Sequence, residues 1–181
     1  MVDIINKVPG IRRACAEGVI MLTPSTIAAI SGSDMPKGNV LTTAKIAGIQ
    51  AAKNTWSIIP MCHQLNLSCI DIEFELGPDQ ILIRAIATTQ DATGVEMEAL
   101  TAVSVAALAV YDMCKAVDKA MTIKDISLIE KVGGKSSHAV DYRPKVGIIT
   151  MSDSVSAGTS ENRSGPILAN GFIEAGCSLE Q

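Results

Sequence analysis

Aromatic side chains are nearly missing from this sequence: one Trp, two Tyr and two Phe among 181 residues. Any core must therefore be built from Ala, Val, Ile, Leu and Met. Hydrophobic residues still reach 48% against 19% charged, which suits a globular core. A chain this aliphatic and Ala-rich buries its helices on several sides, so subunit contacts are expected. No Lys/Arg-rich run occurs and the formal net charge is −4, which argues against a broad electrostatic footprint for nucleic acid. An anionic ligand would need a local cluster of cations. The five cysteines (Cys15, Cys62, Cys69, Cys114 and Cys177) are odd in number and form no CxxC, so neither a disulfide framework nor a zinc ribbon is indicated. No GxxxxGK is present, which excludes a Walker-type nucleotide loop. The opening "MVDIINKVPG" lacks the apolar core of a signal peptide. The longest nearly apolar run, 99–111, is shorter than the ~20 residues a membrane span needs. The expectation is a reduced cytoplasmic protein with neither nucleic acid nor membrane as a partner.

What is present is strong local patterning. "CAEGVIML" (15–22) has the character of a short strand, and Thr23 with Pro24 behind it predicts a helix N-terminus running through residue 30. Residues 31–39 are loop. Residues 42–56 form a helix with Ile46, Ile49, Ala52 and Trp56 at apolar spacing. "CIDIEFEL" (69–76) alternates strictly, placing Ile70, Ile72, Phe74 and Leu76 on one face. "GPDQ" turns the chain, and 81–89 returns as the hairpin partner. A long helix is expected over 93–119, apolar around most of its circumference and so buried by more than its own domain. A last strand covers 126–132. Strand, helix, strand, strand, helix, strand is the order of an α+β, ferredoxin-like (split βαβ) fold.

Composition changes after residue 136. The first domain is assigned to 1–137 and a linker to 138–144. A continuous apolar run, 145–154, is expected to be a strand buried on both faces of a parallel sheet. In the following helix, Ser164 is expected as N-cap and Gly176 as the stop. One strand and one helix cannot bury their own apolar faces. Residues 145–181 are therefore expected to be the severed beginning of an α/β domain.

Two constellations carry chemistry. "IIPMCHQLN" (58–66) sets Cys62 beside His63, and the only other histidine is His138. A zinc site needs three or four ligands, and a Cys–His nucleophile needs side chains that face each other, which adjacent residues seldom manage. A buried structural Cys and a histidine that contacts an anionic substrate are the other readings. The tripeptide alone leaves all four open. The long helix says more. Asp112 and Lys115 are neighbours on one face, worth only a few tenths of a kcal/mol as a surface pair. On an otherwise apolar helix, however, a charged pair must face solvent or a site. Glu98 precedes Asp112 by fourteen positions, about 40° around the helix but about 21 Å along it. One chain's Glu98 and Asp112 cannot share a small ligand, whereas two antiparallel copies could bring them together. Lys37 in "PKGN" and Lys135 in "GGKSS" stand beside glycines, where backbone and ammonium can both approach a phosphate. Arg12, Lys37, Lys115 and Lys135 are the cations for such a ligand.

The stretches "GNVLTTAKIAGIQAAKNTWSIIPMCHQL", "TGVEMEALTAVSVAALAVYDMCKAVDKAM" and "LIEKVGGKSS" resemble the MoaC family of molybdenum cofactor biosynthesis, the cyclic pyranopterin monophosphate synthases, over about residues 2–137. The resemblance implies a lyase on a ferredoxin-like fold. It would convert a cyclic dihydroguanosine triphosphate into cyclic pyranopterin monophosphate and release pyrophosphate. It also implies a homohexamer, a trimer of dimers with sites at subunit interfaces, and no required cofactor, with Mg²⁺ optional. By the same resemblance Asp112, Lys115 and Lys37 are catalytic. Met61, Cys62, His63, Met97, Glu98, Arg12 and Lys135 bind substrate. Cys62 becomes a packing residue of the site wall, and the metal reading is dropped. Departures are modest: "PLCHPL" has become "PMCHQL", "KGD" is "KGN", "ARIAGI" is "AKIAGI", and "GGKSG" ends in Ser137. A non-catalytic ligand-binding oligomer on the same fold is the competing class. "KVGIITMSDSVSAGTSENRSGPIL" is similar to the start of the MogA/MoaB family, which adenylylates molybdopterin. The implied parent is thus a bifunctional protein.

Overall fold

The computed structural model describes residues 1–134 and 144–179. Its contacts divide the chain into two units, residues 1–138 and 139–181. In the first, β1 (Gly10–Met21) leads into α1 (Pro24–Gly32), α2 (Val40–Lys53) and the short α3 (Thr55–Ile58). Then come β2 (Leu67–Leu76), β3 (Gln80–Asp91), α4 (Glu96–Cys114) and β4 (Thr122–Val132). The four strands form one sheet in the order β2-β3-β1-β4, every neighbouring pair antiparallel. β1 and β2 are thus parallel with β3 between them, and β3 and β4 are parallel with β1 between them. Each strand–helix–strand unit is split by a strand of the other, so the unit is α+β, and nothing in it conflicts with the ferredoxin-like expectation.

Alternation builds the sheet's inner face. Ala14, Ala16 and Ile20 from β1 and Ile81, Ile83, Ala85 and Ala87 from β3 are buried, while Arg13, Glu17 and Arg84 point to the outer face and pair across it as Arg13–Glu130 and Glu17–Arg84. α4 covers the inner face through Ala99, Ala102, Val103, Ala106 and Val110, all fully buried. By length and hydropathy α4 also passes as a membrane-spanning helix, but half of its apolar window is occupied by this packing.

Small residues set the distance between α2 and α4. A Cβ on Gly48 would collide with the Ile72 side chain and lie 2.8 Å from the Ala102 carbonyl oxygen. Of the expected apolar face of the second helix, Ala52 is buried and Ile49 packs against the core, and the close approach corrects the rest. Ala44, Gly48, Ala51 and Ala52 face inward, while Ile46 and Trp56 stay 63% and 42% exposed. The helix also begins earlier than expected, because Asn39 Oδ1 accepts from Thr42 N at 2.8 Å, an N-cap that frees Val40 to start it. It breaks at Asn54 before α3.

The second unit contains β5 (Lys145–Val146), α5 (Asp153–Ser156), α6 (Ser164–Glu174) and β6 (Ser178–Leu179), with β5 and β6 parallel. The expected ten-residue strand is only two residues long. Ile149 and Met151 are 87% and 90% exposed, so among the described residues of this unit no layer covers a run suited to burial on both faces. Ser164 is the first helical residue rather than the cap, and Arg163 occupies the cap position without a side-chain bond. Gly176 takes φ +81° and closes α6 as expected, its N–H donating to Ile173 O at 2.9 Å. The expected linker, apart from Pro144, lies outside the described residues, as does His138.

Candidate functional site

α4 ends where its last turn meets the loop between α1 and α2. There the Asp112 carboxylate sits between two ammonium groups. Lys115 Nζ is 2.7 Å from Oδ1 and Lys37 Nζ 2.8 Å from Oδ2. Lys37 also donates to the main-chain oxygen of Asp112 at 2.8 Å, one of the carbonyls that a helix end leaves without an internal partner. The loop is shaped for this reach: Gly38 takes φ +87°, its N–H donates to Met35 O at 3.0 Å, and the Met35 side chain is buried beneath.

Cations at a helix C-terminus are favoured by the dipole and an anion is not, so the lysines make Asp112 tolerable there. Lys115 first, and then Lys37, draw its carboxyl down to about 2. The Lys115 ammonium is pushed up in return, chiefly by the same hydrogen bond. Both partners are 56% exposed, so the pair adds little to stability. It leaves an exposed carboxylate flanked by two cations at the surface.

The other expected residues gather at the opposite end of α4. Glu98, in its first turn, is only 4% exposed, and burial raises its carboxyl, with Glu96 adding to the rise. Cys62 lies within the field of Glu98; burial and then that charge push its thiol up, which disfavours the nucleophile reading further. His63 is half-buried, and Met61 and Met97 are exposed. The Met1 amino group donates to Met61 Sδ at 3.3 Å. At the same end of the sheet Arg12 Nε donates to Asp91 O at 3.1 Å. The Arg12 guanidinium lies so close to Gly134 that a Cβ there would be 2.6 Å from Nη1; with φ +87° the position suits glycine alone. Lys135 lies outside the described residues.

A single chain therefore unites Lys37, Asp112 and Lys115 and, separately, sets Arg12, Cys62, His63 and Glu98 at the far end. No candidate site residue lines the groove of about 460 Å³ between α2 and β2, which is walled by Leu41, Thr42, Lys45, Ile72, Glu73 and Phe74. Among the described residues, no three His, Cys, Asp or Glu side chains are grouped to hold a metal ion. The residue that sequence reasoning missed is Asp118, buried just beyond α4; its partner Thr23 is 95 positions away, and nothing local announces the pairing.

Fold and site define an α+β domain with an exposed carboxylate held between two lysines, a cluster open to an anionic small molecule. The MoaC family profile matches residues 1–134. The chain belongs to the MoaC family. It is 59% identical over 180 residues to a "Molybdenum cofactor biosynthesis bifunctional protein" of Chlorobaculum tepidum, covering 99% of this chain and 57% of that relative's length. It is also 53% identical over 143 residues to a "Cyclic pyranopterin monophosphate synthase" of Desulfatibacillum aliphaticivorans, covering 78% and 90% of the two chains. A synthase of the same name from Peptoclostridium acidaminophilum is 54% identical over 136 residues, covering 75% and 87%.

Proposed function

We propose that the first unit is a cyclic pyranopterin monophosphate synthase, a cytoplasmic lyase acting on (8S)-3',8-cyclo-7,8-dihydroguanosine 5'-triphosphate. The observation that carries this reading is the Lys37–Asp112–Lys115 cluster inside a domain with relatives that bear that name. Rebuilding a purine into a pyranopterin requires protons to be removed and returned, a task for a carboxylate and ammonium that tune one another. Closing a cyclic phosphate expels pyrophosphate, whose developing charge is best met by cations already in place. Arg12 and Lys135 fit that role, with His63, Met97 and Glu98 against the base. The reaction needs no resident cofactor. A Mg²⁺ carried by the triphosphate would count as part of the substrate.

The two clusters lie about 21 Å apart along α4, so each active site takes Asp112 and its lysines from one subunit and Glu98 and His63 from another. A homohexamer built as a trimer of dimers provides such interfaces. The second unit belongs, on this reading, to a partner activity of a bifunctional parent. The test is pyrophosphate release by the purified chain, by Asp112→Asn and by Lys115→Ala. Both variants should bind substrate and barely turn it over. Near-normal rates in both would overturn the assignment.

A further inference from the structure

Among the described residues two carboxylates are buried, Glu98 and Asp118. Glu98 stands at the proposed substrate-binding end. Asp118, 3% exposed, has no part in the reaction as drawn so far.

Its hydrogen bonds tie together chain near the Lys37–Asp112–Lys115 cluster. Oδ2 accepts from Thr23 N at 2.7 Å and from Thr23 Oγ1 at 2.9 Å. Oδ1 accepts from Ala120 N at 3.1 Å. The Thr23 hydroxyl in turn lies 2.9 Å from that of buried Thr26. A buried carboxylate is costly unless its oxygens are satisfied, and here Thr23, Ala120 and the Thr26 hydroxyl satisfy them and hold the carboxyl below its ordinary value. α4 ends without the glycine that usually stops a helix: its cap is Lys115, still in right-handed helical geometry. Val117 N and Asp118 N both donate to Cys114 O at 2.9 Å, and the Asp118 side chain then fastens this turn to Thr23, the residue before α1. Lys115 stands on the fastened turn. α1 runs from Thr23 towards the loop that carries Lys37.

Exposed lysines are held weakly by their ion pairs alone. Whether two of them converge on one carboxylate depends on the backbone frames that carry them. Those frames meet at Asp118. We infer that Asp118 is a positioning residue for the Lys37–Asp112–Lys115 cluster, holding the end of α4 and the start of α1 in register through Thr23. This rests on the reading of that cluster as the proton-handling centre and deepens it.

Asp118→Asn keeps the size but turns an NH2 group toward donors. Thr23→Val removes a single hydroxyl from an exposed position, and Thr23→Ser restores it. In the purified full chain, Asp118→Asn should lower kcat for pyrophosphate release about 10- to 100-fold and change KM less than about threefold. Thr23→Val should move kcat the same way by less, and Thr23→Ser should match the parent. Independently of turnover, carbon-13 NMR titration should find the Asp112 carboxyl shifted up from about 2 in both Asp118→Asn and Thr23→Val. An unmoved Asp112 titration in folded variants, even with lost stability, would reduce Asp118 to a structural clamp and overturn the inference. Should Asp118→Asn fail to fold, Thr23→Val decides alone. If the parent chain itself releases no pyrophosphate, the synthase reading fails and the Asp112 titration still judges Asp118.

Discussion

Lys37 Nζ donates both to Oδ2 and to the main-chain oxygen of Asp112, at 2.8 Å each. One ammonium group thus satisfies the end of α4 and helps to neutralise the side chain presented there, so removing it should disturb two things at once. Lys37→Ala is expected to lower turnover by about 100- to 10,000-fold, the usual range for a lost proton-transfer group. Lys37→Arg, which retains charge but not a compact ammonium, should recover only part of that. Steady-state kinetics of the three proteins checks it; an Arg variant equal to the parent would mean that charge alone is needed.

The pH dependence follows from the same contacts. The Asp112 carboxyl lies below its ordinary value, at about 2, so its contribution to stability is complete above about pH 4 and is lost as pH falls through 2. Lys115 is raised, so its contribution is complete below about pH 10.4 and disappears only as pH rises through the raised value. Neither group changes charge between about pH 5 and 9. Any ionisation seen in the rate profile there must belong to another group and should persist in the residual activity of Lys115→Ala.

The proposed sharing of sites between subunits predicts complementation. Asp112→Asn and Glu98→Gln should each be inactive. Mixed and reassembled, random dimers should recover about a quarter of parental activity, because half are hybrids and each hybrid holds one site free of both substitutions. No recovery in a mixture shown to contain hybrids would mean that each site takes both residues from one chain, and would overturn the shared site.

Gly48→Ala tests the helix contact. The new methyl would meet the tip of the Ile72 side chain and the Ala102 carbonyl, and the carbonyl, fixed in the α4 backbone, cannot retreat. Overpacking should cost about 1–3 kcal/mol, against a gain of at most about 1 kcal/mol in helix propensity. Urea unfolding that shows a more stable variant would refute the close approach.

Much of this architecture was legible in the sequence because its signals are local. The alternation at Ile70, Ile72, Phe74 and Leu76 announced a strand, and a long segment apolar around most of its circumference announced α4. Hydrophobicity misled at α2, where close packing selects small residues and turns Ile46 outward, and just beyond it, where the break at Asn54 puts the half-exposed Trp56 on α3. It misled again at 147–152, where an apolar run lacks the covering layers that would make it a strand. The convergence of Lys37 on Asp112 spans 75 positions and follows from topology alone; no spacing rule reveals it. Family resemblance put those residues on one list, but the separation of the site into two ends came from helix geometry.

The contact of Gly48 with α4 has a further consequence. With α2 and the sheet gripping its middle, α4 acts as a ruler of fixed length: each inserted residue would turn one end by about 100° relative to the other and advance it by about 1.5 Å. Diversity of length in such a protein should therefore accumulate in its turns, such as the hairpin at Gly77–Gln80, while α4 tolerates substitutions but not insertions.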